Sequence, residues 1–171
     1  MKKNSPLLLA VLLLFTFSCS KTTAFTIDVS KITTTDGLGN VVGSPDNTDW
    51  TLDAEWSETE KSFFLSDPVD MSDAKQATVT MSPARPNPSS NRLISLQFTT
   101  SEITFLKIAI VDEKLKRLAF YTFKTTAGIN AYNIPFAEAS FAVNKNYRIY
   151  YSFDTYASPM YYKGHGDVSL K

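Results

Sequence analysis

Three kinds of side chain in this 171-residue sequence could do chemistry: one histidine, one cysteine and a knot of carboxylates. His165 stands in Gly164-His165-Gly166-Asp167. A Ser-His-Asp arrangement needs an oriented nucleophile and an oxyanion hole, and no G-x-S-x-G elbow occurs in the chain. One histidine and one cysteine fall short of the usual four-ligand zinc site. His165 is therefore expected as a turn residue of a hairpin, with ligand contact as its alternative. Asp53, Glu55, Glu58 and Glu60 gather just before a run of aromatic residues. A carboxylate pair for glycoside hydrolysis is set by the fold rather than by spacing, and a solvated helix face accounts for this group. The oxygen-rich loop Thr33–Asp49 lacks the EF-hand spacing and a closing acidic ligand. The chain is read as non-enzymatic, with no cofactor and no metal.

Binding is the more open possibility. Tyr147, Tyr150, Tyr151, Tyr156, Tyr161 and Tyr162 crowd the C-terminal part. Tyrosine joins an apolar face to a polar tip, which suits cores and contact surfaces alike. Alternation puts Tyr147 and Tyr151 in the core and turns Tyr150 outward, while Tyr161 and Tyr162 straddle two faces. Packing at a core or edge is the ordinary use of such residues. Tyr150, Tyr161, Tyr162 and His165 are the candidate contacts for a protein or glycan partner. Nucleic acid is not expected, because 17 basic residues balance 17 acidic ones and no basic patch results.

Cys19 has a different context. Lys2 and Lys3 precede an apolar run from Leu7 to Phe17, broken only by Thr16. The run is too short to span a bilayer as a mature helix and fits the core of a signal peptide. Thr16-Phe17-Ser18-Cys19 resembles the processing site of bacterial lipoproteins, and Ser18-Cys19-Ser20-Lys21 is similar to the form found in Bacteroidota. Thr16 and Phe17 depart from the usual pattern; Ser18 and Cys19 match it. The resemblance implies a signal peptide at 1–18, acylation of Cys19 and a tether at 19–24. It places the protein at the outer membrane, held by acyl chains at about 0.8 kcal/mol per buried methylene. Ordinary cleavage after Thr22-Thr23-Ala24 is the alternative. Removing 1–18 takes away Lys2, Lys3 and no acid, so a formal charge of 0 becomes −2. Surface-exported lipoproteins of the group it resembles often carry acidic residues just after the cysteine, and Ser20-Lys21-Thr22-Thr23 has none, so the resemblance implies the periplasmic face over the cell surface. A lone cysteine makes no internal disulfide, so the core must hold itself.

The elements that must position these residues are strands. Phe25, Ile27 and Val29 alternate with polar residues and predict an edge strand. Ser57-Glu58-Thr59-Glu60 has capping-box spacing and predicts a short helix to Leu65, ended by Asp67-Pro68, its aromatics covering an end or edge of a sheet. From Ala77 onward about seven short strands alternate with turns. Tyr147 to Phe153 is the clearest; the last, Met160 to Leu170, is expected to break at Gly164-His165-Gly166. The pattern predicts an all-β fold, an antiparallel immunoglobulin-like sandwich over 77–171 with 25–76 packed on it as a short helical N-terminal extension. A small barrel is the alternative.

Pro86-Asn87-Pro88-Ser89-Ser90, then a strand, then Lys107-Ile108-Ala109-Ile110-Val111-Asp112, resembles the C-terminal sorting domains of type nine secretion cargo. That family has an immunoglobulin-like module, and the resemblance covers 77–153. It implies the same fold and, as an alternative to a lipid-anchored binding or assembly module, a secretion-sorting or scaffold role. Glycan binding is a minor alternative. The strand reading makes Ile149 a core residue: Ile149→Ala is expected to lower unfolding free energy by about 2–5 kcal/mol in a denaturant titration. An unmoved midpoint would remove Ile149 from the core.

Overall fold

A computed structural model describes residues 25–65 and 69–171. In chain order the elements are β1 (Thr51–Leu52), α1 (Glu58–Ser62), β2 (Val79–Met81), β3 (Leu93–Thr100), β4 (Phe105–Val111), β5 (Arg117–Lys124), β6 (Gly128–Pro135), β7 (Lys145–Asp154) and β8 (Tyr162–Leu170). They form an antiparallel sheet of order β1-β8-β7-β4-β5 and a second of order β2-β3-β6. Hairpins join β4 to β5 and β7 to β8 within one sheet, while the chain changes sheets after β1, β3, β5 and β6. This is the expected immunoglobulin-like sandwich.

Period-two alternation builds the interior. Tyr147, Ile149, Tyr151 and Phe153 of β7 meet Leu106, Ile108 and Ile110 of β4 and, from the facing sheet, Ile94, Leu96, Phe98 and Ile134. At the start of β7 the Tyr147 hydroxyl accepts the Ala142 N–H at 2.7 Å and donates to the Ala142 carbonyl at 3.1 Å. This loop-to-strand tie is the tyrosine corner of immunoglobulin-like sandwiches.

The five-stranded sheet is covered on its other face as well. Ala109 and Val111 of β4 and Tyr150 of β7 are buried there beneath Trp56, Phe63 and Phe64. That is why Ile108 to Val111 of β4 read as an unbroken apolar run. Ser57 caps α1: its hydroxyl accepts the Glu60 N–H, and the Glu60 carboxylate accepts the Ser57 N–H. The helix is shorter than expected, because a turn after Ser62 sends both phenylalanine rings onto the sheet. These aromatics cover a sheet face, not the end or edge expected from sequence. Asp67 and Pro68 lie outside the described residues.

Two strand expectations are corrected. Phe25 to Val29 is not a strand; single bonds lay it across the sheet, Ile27 N–H to Glu113 O, Arg148 to Asp28 O and Asn146 to Val29 O. The last strand does not break at its glycines: β8 runs through Gly164, His165 and Gly166. A Cβ at Gly164 would overlap the Thr51 carbonyl and the Tyr151 hydroxyl, and one at Gly166 would overlap the Trp50 indole. The glycines admit close neighbours there and turn nothing.

The outer edge of β8 is closed one polar group at a time. The Lys163 and His165 carbonyls accept from the N–H groups of Asp53 and Trp50. The Asp167 N–H donates to Asp49 Oδ1 at 3.0 Å, and the Asp167 carbonyl accepts from Asn87 Nδ2 at 2.9 Å. Ser169 N–H donates to Asn87 Oδ1 at 2.9 Å, Ser169 O accepts from Ser89 N–H, and Lys171 N–H donates to Ser89 O. Asp49 and Asn87 thus do with side chains what another strand would do with its backbone.

Gly166→Ala is expected to cost about 1–3 kcal/mol, because the indole over it must move. Gly37→Ala, with no atom within 4 Å of the added methyl, is expected to leave the urea midpoint unchanged. Equal midpoints for the two variants would contradict the packing of Trp50 on β8.

Candidate functional site

The β7–β8 register sets His165 opposite Tyr150 and Asp167 opposite Arg148. All four side chains point away from the sandwich interior, toward two segments that lie over them, Phe25 to Lys31 above Arg148 and Asp46 to Glu60 above Tyr150 and His165. β1 pairs with β8 at Thr51–His165 and Leu52–Gly164, which draws that segment down onto the sheet.

Three polar clusters result. His165 Nδ1 lies 2.8 and 3.0 Å from the two Asp53 oxygens, and the Trp56 indole N–H donates to the same carboxylate at 2.7 Å. The carboxylate accepts, so the hydrogen sits on Nδ1 and a neutral ring keeps its lone pair on Nε2. Nε2 has no partner among the described residues. Next to it, the Tyr150 hydroxyl donates to Glu60 Oε1 at 2.8 Å, with the Tyr150 ring between Trp56 and Phe63. Further along, Arg148 grips Asp167 through two bonds of 2.7 Å and also donates to the Asp28 carbonyl. Asp49 stands behind this pair, its other oxygen accepting the Thr33 N–H at 2.8 Å.

Burial sets the proton affinities. It pushes the Asp49 carboxyl above its ordinary value, against the N–H bonds from Thr33 and Asp167 that favour the anion. Burial also raises Asp167, opposed by Arg148, and raises Tyr150, helped by Glu60. Asp46, near the surface, moves the other way, because the Thr48 N–H and hydroxyl stabilise its charge.

His165 lines two clefts. One, of about 450 Å³, is bordered by Thr48, Thr51, Leu52, Glu55 and Trp56. The other, of about 460 Å³, is bordered by Phe25, Lys31, Asp46 and Arg148. Together they form a groove crossed by one imidazole. A larger cavity, of about 620 Å³, lies between Ile27–Ser30, the Asp112–Lys116 turn and the loop before β7, and none of the candidate contacts Tyr150, Tyr161, Tyr162 and His165 lines it. Among the described residues no three His, Cys, Asp or Glu side chains group as metal ligands.

The residues singled out from sequence fare differently. Tyr150 does turn outward from the sandwich, but it is only 1% exposed, because the Trp56–Phe64 cover was not foreseen; it is no surface contact. Tyr161 packs at an edge, its hydroxyl accepting the Ala77 N–H and donating to Thr104. Tyr162 packs on Tyr151 and Phe153. Neither points into the groove. His165 is there, in mid-strand and not in a turn. Asp53 belongs to no solvated helix face: it precedes α1 and holds His165 and Trp56. Asp49, Asn87 and Arg148 were not singled out, and only the placement of Asn87 between two prolines hinted at a fixed role. Cys19 lies outside the described residues.

No family model matches this chain, and no curated protein matches it either. Its class is the one its fold defines, an immunoglobulin-like β-sandwich with a covered outer face.

The Asp46 and Asp49 carboxyls, three positions apart, are expected to titrate on opposite sides of the ordinary aspartate value of 3.8, Asp46 below and Asp49 above. A raised native value means that the folded chain holds the Asp49 proton better than the unfolded chain. This group's contribution to stability therefore falls as pH rises through the window between 3.8 and its raised value. Carboxyl carbon NMR across that range checks both midpoints, and an Asp49 midpoint at or below that of Asp46 would contradict its burial.

Proposed function

We propose that this chain is a non-enzymatic, lipid-anchored protein of the cell envelope that binds a partner through the groove around His165. The anchor is read from Ser18-Cys19 behind the apolar run Leu7 to Phe17. The binding half is carried by one observation: Asp53 fixes His165 through Nδ1, and Nε2 is left as an acceptor on a strand that cannot rotate it away. The groove adds the Asp46 and Glu55 carboxylates and the Thr48 and Thr51 hydroxyls. These acceptors, with Lys31 and Arg148 at the border, suit a ligand that both donates and accepts hydrogen bonds, a glycan or the amides of a protein. Asp53 is shared with the Trp56 indole, so the His165–Asp53 pair also clamps the cover onto the sheet.

The anchor is tested by expressing the full chain in a Gram-negative host with labelled palmitate. Wild type is expected in the membrane fraction carrying label, and Cys19→Ala is expected to lose the label and remain unprocessed or soluble. A Cys19→Ala chain that stays fully labelled and membrane-bound would overturn the anchor.

A further inference from the structure

The two long sides of the sandwich are finished differently. On the β8 side Asp49, Asn87, Ser89 and the N-terminal backbone occupy the outward polar groups from Lys163 to Lys171. On the opposite side β5 and β6 are the last strands of their sheets, each paired on one flank only.

For β6, pairing decides which groups point out. Ser82 N–H donates to Gln97 O, and Arg85 and Ser95 exchange bonds, so odd residues of β3 face away from β6 and even ones face it. The register Ile94–Ile134, Leu96–Tyr132, Phe98–Asn130 then leaves the N–H and C=O of Ile129, Ala131 and Asn133 on the open flank. None of these groups has a partner among the described residues. Pro135, next in line, has no N–H, and its carbonyl accepts from the Tyr121 hydroxyl. Gly128 to Pro135 carries no acidic or basic side chain, and Ile129 is 73% exposed. Lysines or inward charges, the usual guards of an open edge, are missing.

We propose that this edge pairs antiparallel with the β6 edge of a second copy of the chain, about a two-fold axis at Ala131. The register follows from the groups on offer. With Ala131 opposite Ala131, Ile129 faces Asn133 in both directions, and every outward N–H and C=O of the three residues is paired. Sliding one copy by two residues sets Ile129 either against Pro135, which has no N–H to give, or against Ala131, which leaves Asn133 unmatched. No charge meets a like charge. β5, by contrast, carries a cation at each end, Arg117 and Lys124. Methyl groups meet at the axis, and the exposed Ile129 side chain comes to lie beside Asn133 of the other copy. This pairing is independent of the His165 groove and of the anchor, and it leaves the groove, on the far face, open in both copies.

Cross-linking tests it in the full chain, in membranes under mild oxidation, with wild type, whose one cysteine is Cys19, as background. Ala131→Cys is expected to yield a covalent dimer well above the wild-type level, because opposed strand positions bring Cβ atoms to about 4.5–5.5 Å. Asn133→Cys is expected to stay at background, since its own copy sits four residues along, roughly 13 Å away. In sedimentation of the detergent-solubilised chain, wild type should run as a dimer and Ala131→Pro as a folded monomer, since its N–H points away from β3, with a melting point lowered only by the lost association. Ala131→Cys at background, equal cross-linking at both positions, a wild-type monomer, or an Ala131→Pro dimer would each overturn the proposal. Should Ala131→Pro fail to fold, the cross-linking pair decides alone.

Discussion

A sheet edge exposes amides that must find partners, and the last strand of this protein depends on two side chains for several of them. Asn87 reaches β8 with both ends of its amide, donating to the Asp167 carbonyl and accepting from the Ser169 N–H, while its own backbone exchanges bonds with Thr35. Asp49 completes the row by joining the Thr33 and Asp167 N–H groups. The rest of the architecture follows. With the edge capped, the segment from Thr33 to Trp50 is pinned beside the sheet, and what continues from it is delivered over the outer face. Leaving any of these buried groups unmet costs about 1–3 kcal/mol, a large share of the roughly 5–15 kcal/mol that separates a small domain from its unfolded state.

Once that face is covered, polar residues on β7 and β8 that alternation assigns to solvent find themselves inside. The chain handles this by matching each with a complementary group: Arg148 with Asp167 of the neighbouring strand and with the Asp28 carbonyl, and, from the cover, Glu60 with Tyr150 and Asp53 with His165. Such buried pairs cost desolvation and add little net stability, but breaking one leaves a lone charge or donor behind. They therefore fix where the cover sits more than how tightly it holds.

The sandwich was legible in the sequence because period-two alternation survives wherever one face is buried and the other is not. Tyr147 to Phe153 and Leu93 to Phe98 show it plainly. The reading failed where a third layer changed the surroundings. Tyr150 is outward by period and buried by the cover, and no local pattern encodes a contact with Glu60 ninety positions earlier. Gly164 and Gly166 signal a turn to a local reading, yet their hydrogens make room for Trp50 and Tyr151, a fact carried by distant residues. Phe25 to Val29 alternates like a strand, but with the β8 edge occupied and β5 on the far side, no ladder is offered to it. The groove was visible only as a lone histidine, since its orienting partner Asp53 looked like part of an acidic helix.

The closure of the β8 edge also orders events in time. Its partners lie far apart in the chain, by 118 positions for Asp49 and Asp167 and by 82 for Asn87 and Ser169. Contacts of such long sequence separation form late and slowly. β8 follows every other element in chain order, so until it joins its sheet the early segments lack the surface on which they settle.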